Sequence, residues 1–293
     1  MTDNNINKHV VILKNDAVGD LVHSMPTIFS IIENKEVNKI TLFLSNQSKN
    51  FIFFFKNKKI KIEILNYNLN IFHKFKIIFF FLFNQIDDVY ILAPKNFFYY
   101  LPLIFRKVKF FALCLNNVDN YKRPNSFLRK FLFKYKINDR SAIFKRESIL
   151  SLQLSLCDNK KNNKHTVRNF NPEITNLINE YINEKYFYFH LKKKILDELG
   201  WGISELKILF NKFLEYVDYV YITKDIEVDK NTNILKDNFN SYDFVTNKSI
   251  NKSSKVVFFD NITGPDLYNI IKHSKKTIAF HGMMTNLASI EKK

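Results

Sequence analysis

The chain has 293 residues, 46% of them hydrophobic, enough for one large or two ordinary domains with a sizeable core and too apolar for global disorder. Two cysteines, Cys114 and Cys157, exclude a disulfide scaffold and a cysteine-based zinc cluster, and 5 glycines with 6 prolines exclude collagen-like and low-complexity classes. With 45 Lys and Arg against 28 Asp and Glu, the formal net charge of +17 favours an anionic membrane, nucleic acid or a phosphorylated ligand as partner.

The first residues, Met1–His9, are polar and lack the apolar core of a signal peptide. His9–Lys14 (HVVILK) reads as a buried strand and Asp20–Asn34 as the helix after it. Strands are predicted at Ile40–Ser45 and Ile60–Leu65. The apolar runs Phe51–Phe55, Ile77–Phe83 and Phe97–Phe105 are too short to cross ~30 Å of hydrocarbon, which takes about 20 residues. Runs this short usually pack inside, so Ile77–Phe83 is read as an interior helix. The competing reading lays Phe72–Phe83, with Lys74 and Lys76, on an anionic lipid surface. Further strands follow at Asp88–Leu92 and Val108–Cys114. Strand–helix alternation of this kind predicts a parallel sheet with helices on both faces. Phe127–Lys136 and Ser148–Cys157 look helical, with no strand between them.

Asp158–Arg168 (DNKKNNKHTVR) is polar, rich in Lys and Asn and without periodicity, and reads as a linker. The alternation then restarts. Tyr186–Leu191 is a strand, and Ile203–Tyr216 a helix with Ile203, Leu206, Leu209, Phe210 and Phe213 on one face. Asp218–Thr223 and Lys255–Asp260 are strands. Gly264–His273 is a helix with Pro265 in its first turn, where a missing N–H costs little. Thr277–Phe280 is a strand and Met283–Ile290 a helix. The chain therefore reads as two α/β domains in tandem, 1–160 and 161–293.

Ligands of open α/β sheets gather outside the carboxyl ends of strands, and LKNDAVGDLVHSMP (Leu13–Pro26) lies at such an end. Gly19 would allow a tight turn there, and Asp20 would stand at the helix start, where the plainest role for a carboxylate is to cap free N–H groups. The segment is neither a P-loop nor a dinucleotide fingerprint, since GxxxxGK[ST] and GxGxxG are absent. The seven histidines form no HExxH, so a metal site is unsupported, and a serine nucleophile is unsupported without GxSxG. Trp201 reads as core packing, and Lys192–Lys194 as a solvated helix start.

The spacing of Gly19, Asp20 and Pro26 after the strand VVILK resembles the opening of glycosyltransferase family 9, the ADP-heptose:lipopolysaccharide heptosyltransferase family. Members open with a strand, a short loop, Gly-Asp, and a helix with Pro six residues after the Asp. Near the end, HGMMTNLASI resembles the family's D-T-G-x-[ST]-H-[LI]-A segment. Leu287 and Ala288 fit and Thr285 is a permitted neighbour, whereas His281 stands where Asp is usual and Asn286 where His is usual. The family continues past this motif with another strand and helices, so this chain reads as a divergent, shortened member.

The resemblance implies two Rossmann-like domains of GT-B type, their parallel sheets facing a central cleft. It implies a metal-independent, inverting glycosyltransferase that moves heptose or a related sugar from a nucleotide-sugar to a lipopolysaccharide-type or other glycan acceptor, with no cofactor. Asp20 would be the catalytic base, with Gly19 and His23 in the acceptor-side loop. His281, Gly282, Met283, Thr285, Asn286 and Lys192 would meet the donor. The implied partners are the nucleotide-sugar and a glycan or glycolipid acceptor. The net charge and the short aromatic runs, rather than the resemblance, add an anionic membrane surface: the protein reads as a cytoplasmic monomer, with peripheral attachment at the inner face of the membrane as the competing reading. Changed charges at His281 and Asn286 favour the alternative of a non-catalytic protein that binds a nucleotide-sugar or glycolipid. Nucleic-acid binding ranks last, because the aromatic residues sit in runs that read as core.

Overall fold

The computed structural model describes residues 7–116, 122–140, 148–157, 179, 181–224, 244–245, 255–259, 262–280 and 282–291. The chain divides into two compact units, Met1–Thr166 and Val167–Lys293. The expected linker, 158–168, lies outside the described residues.

In the first unit a seven-stranded sheet runs in the order β3-β2-β1-β4-β5, and two further strands pair with β5. The strands are β1 (Lys8–Lys14), β2 (Val37–Ser45), β3 (Ile60–Leu65), β4 (Asp88–Ile91), β5 (Lys109–Asn116), β6 (Lys122–Arg123) and β7 (Lys134–Asp139). Every pairing is parallel except β5 with β6. Val10, Val11, Ile12 and Leu13 of β1 are all buried, which a central parallel strand covered on both faces requires. The crossovers are α1 (Val18–Glu33), a 3-10 segment (Asn46–Phe55), α2 (Ile71–Phe83) and α3 (Asn96–Ile104). Helices α4 (Ser126–Arg129) and α5 (Ile149–Leu154) follow among the described residues. Ile77 and Phe81 of α2 and Phe98, Tyr99 and Leu101 of α3 pack into one cluster with Val11, Leu13, Phe43, Val89, Ile91 and Cys114 of the sheet. Helices α2 and α3 therefore share one face. Tyr99 donates its hydroxyl to the carbonyl of Leu113 at 2.5 Å, which satisfies a phenol that would otherwise be buried unpaired.

Two expectations are corrected here. Phe127–Lys136 is not one helix: α4 is a single turn, and Lys134–Asp139 runs parallel to β5 with Ile137 opposite Cys114. KYKIND is polar because this strand is half-exposed, so its apolar signal is faint, and the backbone of β5 rather than side-chain burial holds it. Nor is Ile77–Phe83 an interior segment. Only Ile77 and Phe81 of α2 are buried, and the opposite side of the helix, including Phe79, Leu82 and Phe83, is exposed.

The second unit holds a five-stranded parallel sheet in the order β10-β11-β9-β8-β12. Its strands are β8 (Tyr186–Leu191), β9 (Tyr219–Lys224), β10 (Phe244–Val245), β11 (Val256–Phe259) and β12 (Lys276–Ala279). Helices α6 (Lys193–Glu198), α7 (Ile203–Leu214), α8 (Gly264–His273) and α9 (Met283–Ile290) lie among its described residues. Phe189, Leu191, Leu206, Phe210, Val220, Ile222 and Val256 form its core. Helix α6 stops at Gly200, whose φ of +66° allows Trp201 N–H to reach the Leu196 carbonyl at 2.9 Å and Gly200 N–H that of Asp197 at 3.1 Å. Trp201 is left 37% exposed by this turn, so it is not the core residue its size suggested. On α8, Thr263 caps the first turn by accepting from Asp266 N–H, and Pro265 sits where no N–H is needed.

Candidate functional site

In the first unit the carboxyl end of β1 passes into α1 through Asn15–Ala17. The helix begins at Val18, with the extended Ala17 as its cap residue and no side-chain cap. Asp20 is therefore the third helical residue and not the cap, and Gly19 is the second. The positive-φ glycines among the described residues are Gly200 and Gly282, so Gly19 is not used for a tight turn. The reversal is made before it, where Ala17 holds ψ at 157° and any residue is tolerated. Asp20 is exposed, in the first turn where free N–H groups and the helix dipole favour a carboxylate. Its carbonyl accepts from Ser24 Oγ at 3.0 Å. His23 is half-buried one turn further on, and α1 continues through Pro26.

Sequence reading missed the polar group between β1 and α1. Lys14 is 1% exposed, and its ammonium meets Asp16 Oδ2 at 2.6 Å. Asn15 is fully buried and donates through Nδ2 to the carbonyl of Asn66 at 3.0 Å. Asn15 Oδ1 and Asp16 Oδ1 are buried without a hydrogen-bond partner. Burial pushes the Asp16 carboxyl up. Lys14 opposes that shift, the Asp20 charge adds to it, and Lys95 opposes it again. The Lys95 ammonium is itself lowered by burial, despite the pull of Asp16, and it donates to the Tyr67 carbonyl. Two carboxylates thus stand at one strand end in different settings. Asp16 is buried and tied to a cation, while Asp20 is open to solvent. A signal for this existed in the sequence, because Lys-Asn-Asp directly after a buried strand places charged and amide groups where ligands collect.

In the second unit, β8 and β12 are parallel neighbours with His190 opposite Ala279, so Lys192 and Gly282 follow the same carboxyl end of the sheet. Lys192 is half-buried at the cap position of α6 and makes no side-chain cap there. Gly282 caps α9 with φ of 152° and ψ of −156°, a region practically restricted to glycine. Its N–H donates to Thr285 Oγ1 at 3.1 Å, and Thr285 Oγ1 donates to the Gly282 carbonyl at 2.7 Å. Met283 and Asn286 are half-buried, while Met284, Leu287 and Ala288 are buried and hold α9 to the unit. The first turn of α9 thus lies just past the carboxyl end of β12, where helix N–H groups can receive an anion. His281 lies outside the described residues.

A second buried polar cluster was also missed. Thr223 Oγ1 lies 2.5 Å from Tyr188 Oη and 3.0 Å from His190 Nδ1, with all three side chains buried. Within the run YFYFHL nothing marked His190 apart from its apolar neighbours. Among the described residues no three His, Cys, Asp or Glu side chains gather as metal ligands do.

No protein-family profile matches the chain, and no curated protein does at significant similarity. Similar solved structures exist. One is a glycosyl transferase family 9 protein from Veillonella parvula, at 11% identity over 98% of this chain and 79% of that one, with a TM-score of 0.64. Another is ADP-heptose lps heptosyltransferase II of E. coli, at 10% identity over 97% of this chain and 82% of that one, with a TM-score of 0.62. A third is a Listeria monocytogenes protein assigned as a UDP-N-acetylglucosamine 2-epimerase, at 10% identity over 96% of this chain and 77% of that one, with a TM-score of 0.56. The likeness thus runs through nearly the whole chain and establishes a fold found in glycosyltransferases and in an assigned nucleotide-sugar epimerase.

Proposed function

We propose that the protein is an inverting, metal-independent glycosyltransferase that takes a sugar from a nucleotide-sugar donor to a hydroxyl of a glycan or glycolipid acceptor. The observation that carries this reading is Asp20: an exposed carboxylate on the first turn of α1, at the carboxyl end of the central strand. Its spacing from Gly19 and Pro26 matches the glycosyltransferase family 9 opening, and two of the similar structures are a glycosyl transferase family 9 protein and a heptosyltransferase. The third is assigned to nucleotide-sugar epimerisation, so the fold by itself does not fix sugar transfer.

In the proposed mechanism Asp20 takes the proton of the acceptor hydroxyl as its oxygen attacks the anomeric carbon. The bond from that carbon to the nucleoside diphosphate breaks on the opposite side, and the configuration inverts. The departing diphosphate carries negative charge. Within the second unit, the groups suited to such a charge are the N–H groups of α9 at Met283 and Met284, beside the Gly282 cap, and Lys192.

The test is Asp20→Asn, assayed with ADP-, GDP- and UDP-sugars. A base of this kind contributes roughly 10²–10⁴-fold, so turnover falls by that factor with donor affinity little changed. Full activity in the variant would reduce Asp20 to a helix-start residue. The altered charges at His281 and Asn286 favour a second reading, a binding protein without turnover. In that case a nucleotide-sugar raises the melting temperature of the wild type but no sugar is transferred from any donor.

A further inference from the structure

Helix α2 has two apolar sides, and only one of them is used by the fold. Ile77 and Phe81 point into the core. On the other side Ile71, Phe72, Phe75, Phe79, Leu82 and Phe83 are each between 51% and 82% exposed. At 100° per residue these six span one continuous arc. Their rings are ordered along it: Phe75 lies 6.4 Å from Phe79, and Phe79 stacks on Phe83 at 6.3 Å. Adjacent α3, on the same face of the sheet, exposes Tyr100 and Ile104, one turn apart. An aromatic ridge of this extent on a protein surface marks a binding face.

The charge around the ridge indicates what binds. Lys76 stands at one rim and clasps Glu63 at 2.8 Å, alongside Lys61. Lys74 stands at the other, its ammonium 6.0 Å from the Phe97 ring centre. From 64 to 86 and from 89 to 118 the sequence holds no acidic residue, but it holds Lys74, Lys76, Lys95, Arg106, Lys107 and Lys109. The two helices on this face therefore come from segments with cations and no anions. At 13 residues α2 is about 20 Å long, too short to cross a bilayer. A short helix with an outward ridge of Phe and Leu and lysines at its margins suits burial in the headgroup boundary, lying in the plane.

We propose that the outward side of α2 is a docking surface for an anionic lipid bilayer, with the Phe72–Phe75–Phe79–Phe83 ridge entering the acyl boundary and Lys74 and Lys76 meeting lipid phosphates. The inference stands on α2 and its surroundings and does not require sugar transfer.

The experiment is flotation of the full chain with phosphatidylglycerol–phosphatidylcholine vesicles and with pure phosphatidylcholine vesicles. The wild type floats with the former, and raised salt weakens this, because surface charges are screened. Phe79→Ser combined with Phe83→Ser removes two exposed rings, so vesicle partitioning falls at least about tenfold while circular dichroism and melting stay unchanged. Lys74→Gln with Lys76→Gln abolishes the preference for phosphatidylglycerol and retains the fold. Absence of flotation by the wild type, or equal flotation by the Phe variant, overturns the proposal. So does a concentration-dependent dimer of the wild type that the Phe variant disperses, which would assign the ridge to a second copy of this chain.

Discussion

Lys14 and Asp16 form an ion pair almost out of contact with water, and the cost of breaking such a pair falls on the partner left behind. Lys14→Met removes the cation and strands the Asp16 carboxylate, at a cost of about 3–5 kcal/mol in urea unfolding at neutral pH. The double variant Lys14→Met, Asp16→Leu recovers most of that loss, since neither charge then needs solvation. The pH response follows from the direction of the Asp16 shift. Burial raises its folded-state pKa above the unfolded value of about 3.9, so the folded state holds the proton more tightly in the interval between them. Its stabilising contribution is complete below the unfolded pKa and is lost as pH rises through the folded one. Asp16→Asn has no such titration. The stability of wild type relative to Asp16→Asn therefore falls as pH rises through that interval. A flat difference would mean that the Asp16 pKa is the same in the folded and unfolded states, and a rising one that Lys14 holds the folded carboxylate ionised.

At the next scale, helix starts carry the site. Asn70 caps α2 by accepting from His73 N–H at 2.9 Å, and Thr263 caps α8 likewise, but α9 relies on backbone conformation at Gly282. A Cβ at Gly282 would meet nothing within 4 Å, so Gly282→Ala strains the backbone without a clash. Such φ/ψ values cost about 1–3 kcal/mol for other residues. The expected result is faster amide exchange at Leu287 and Ala288, with exchange in β1 and β4 unaffected, and weaker binding of the nucleotide-sugar proposed as donor. Much of this was legible in sequence. Gly264-Pro265 announced α8, and the continuous apolar run of β1 announced a central strand. The outward ridge of α2 was not, because IFHKFKIIFFFLF is apolar nearly all round, and periodicity cannot choose a face when both are apolar. Strand β7 was hidden by its polarity. The Lys14–Asp16 pair was overlooked because Gly19–Asp20, four residues on, carried the motif.

Taken whole, the chain is two α/β units, each with its own hydrophobic core. No described helix is long and apolar enough to cross a membrane. The order β3-β2-β1-β4-β5 could be anticipated only as a class, since strand alternation predicts a parallel sheet but not the crossovers. The packing of β5 also bears on how the molecule can be observed. Cys114 lies within that strand, sealed from solvent, and burial pushes its thiol up to about 12, so it stays protonated and out of reach of alkylating reagents at neutral pH. Cys157 is only half-buried. A maleimide dye should therefore couple once per native molecule, at Cys157, and twice after denaturation, as mass spectrometry would count. Double labelling of the native state would mean that β5 opens. Single labelling makes the unaltered protein its own fluorescent reporter, with no engineered cysteine.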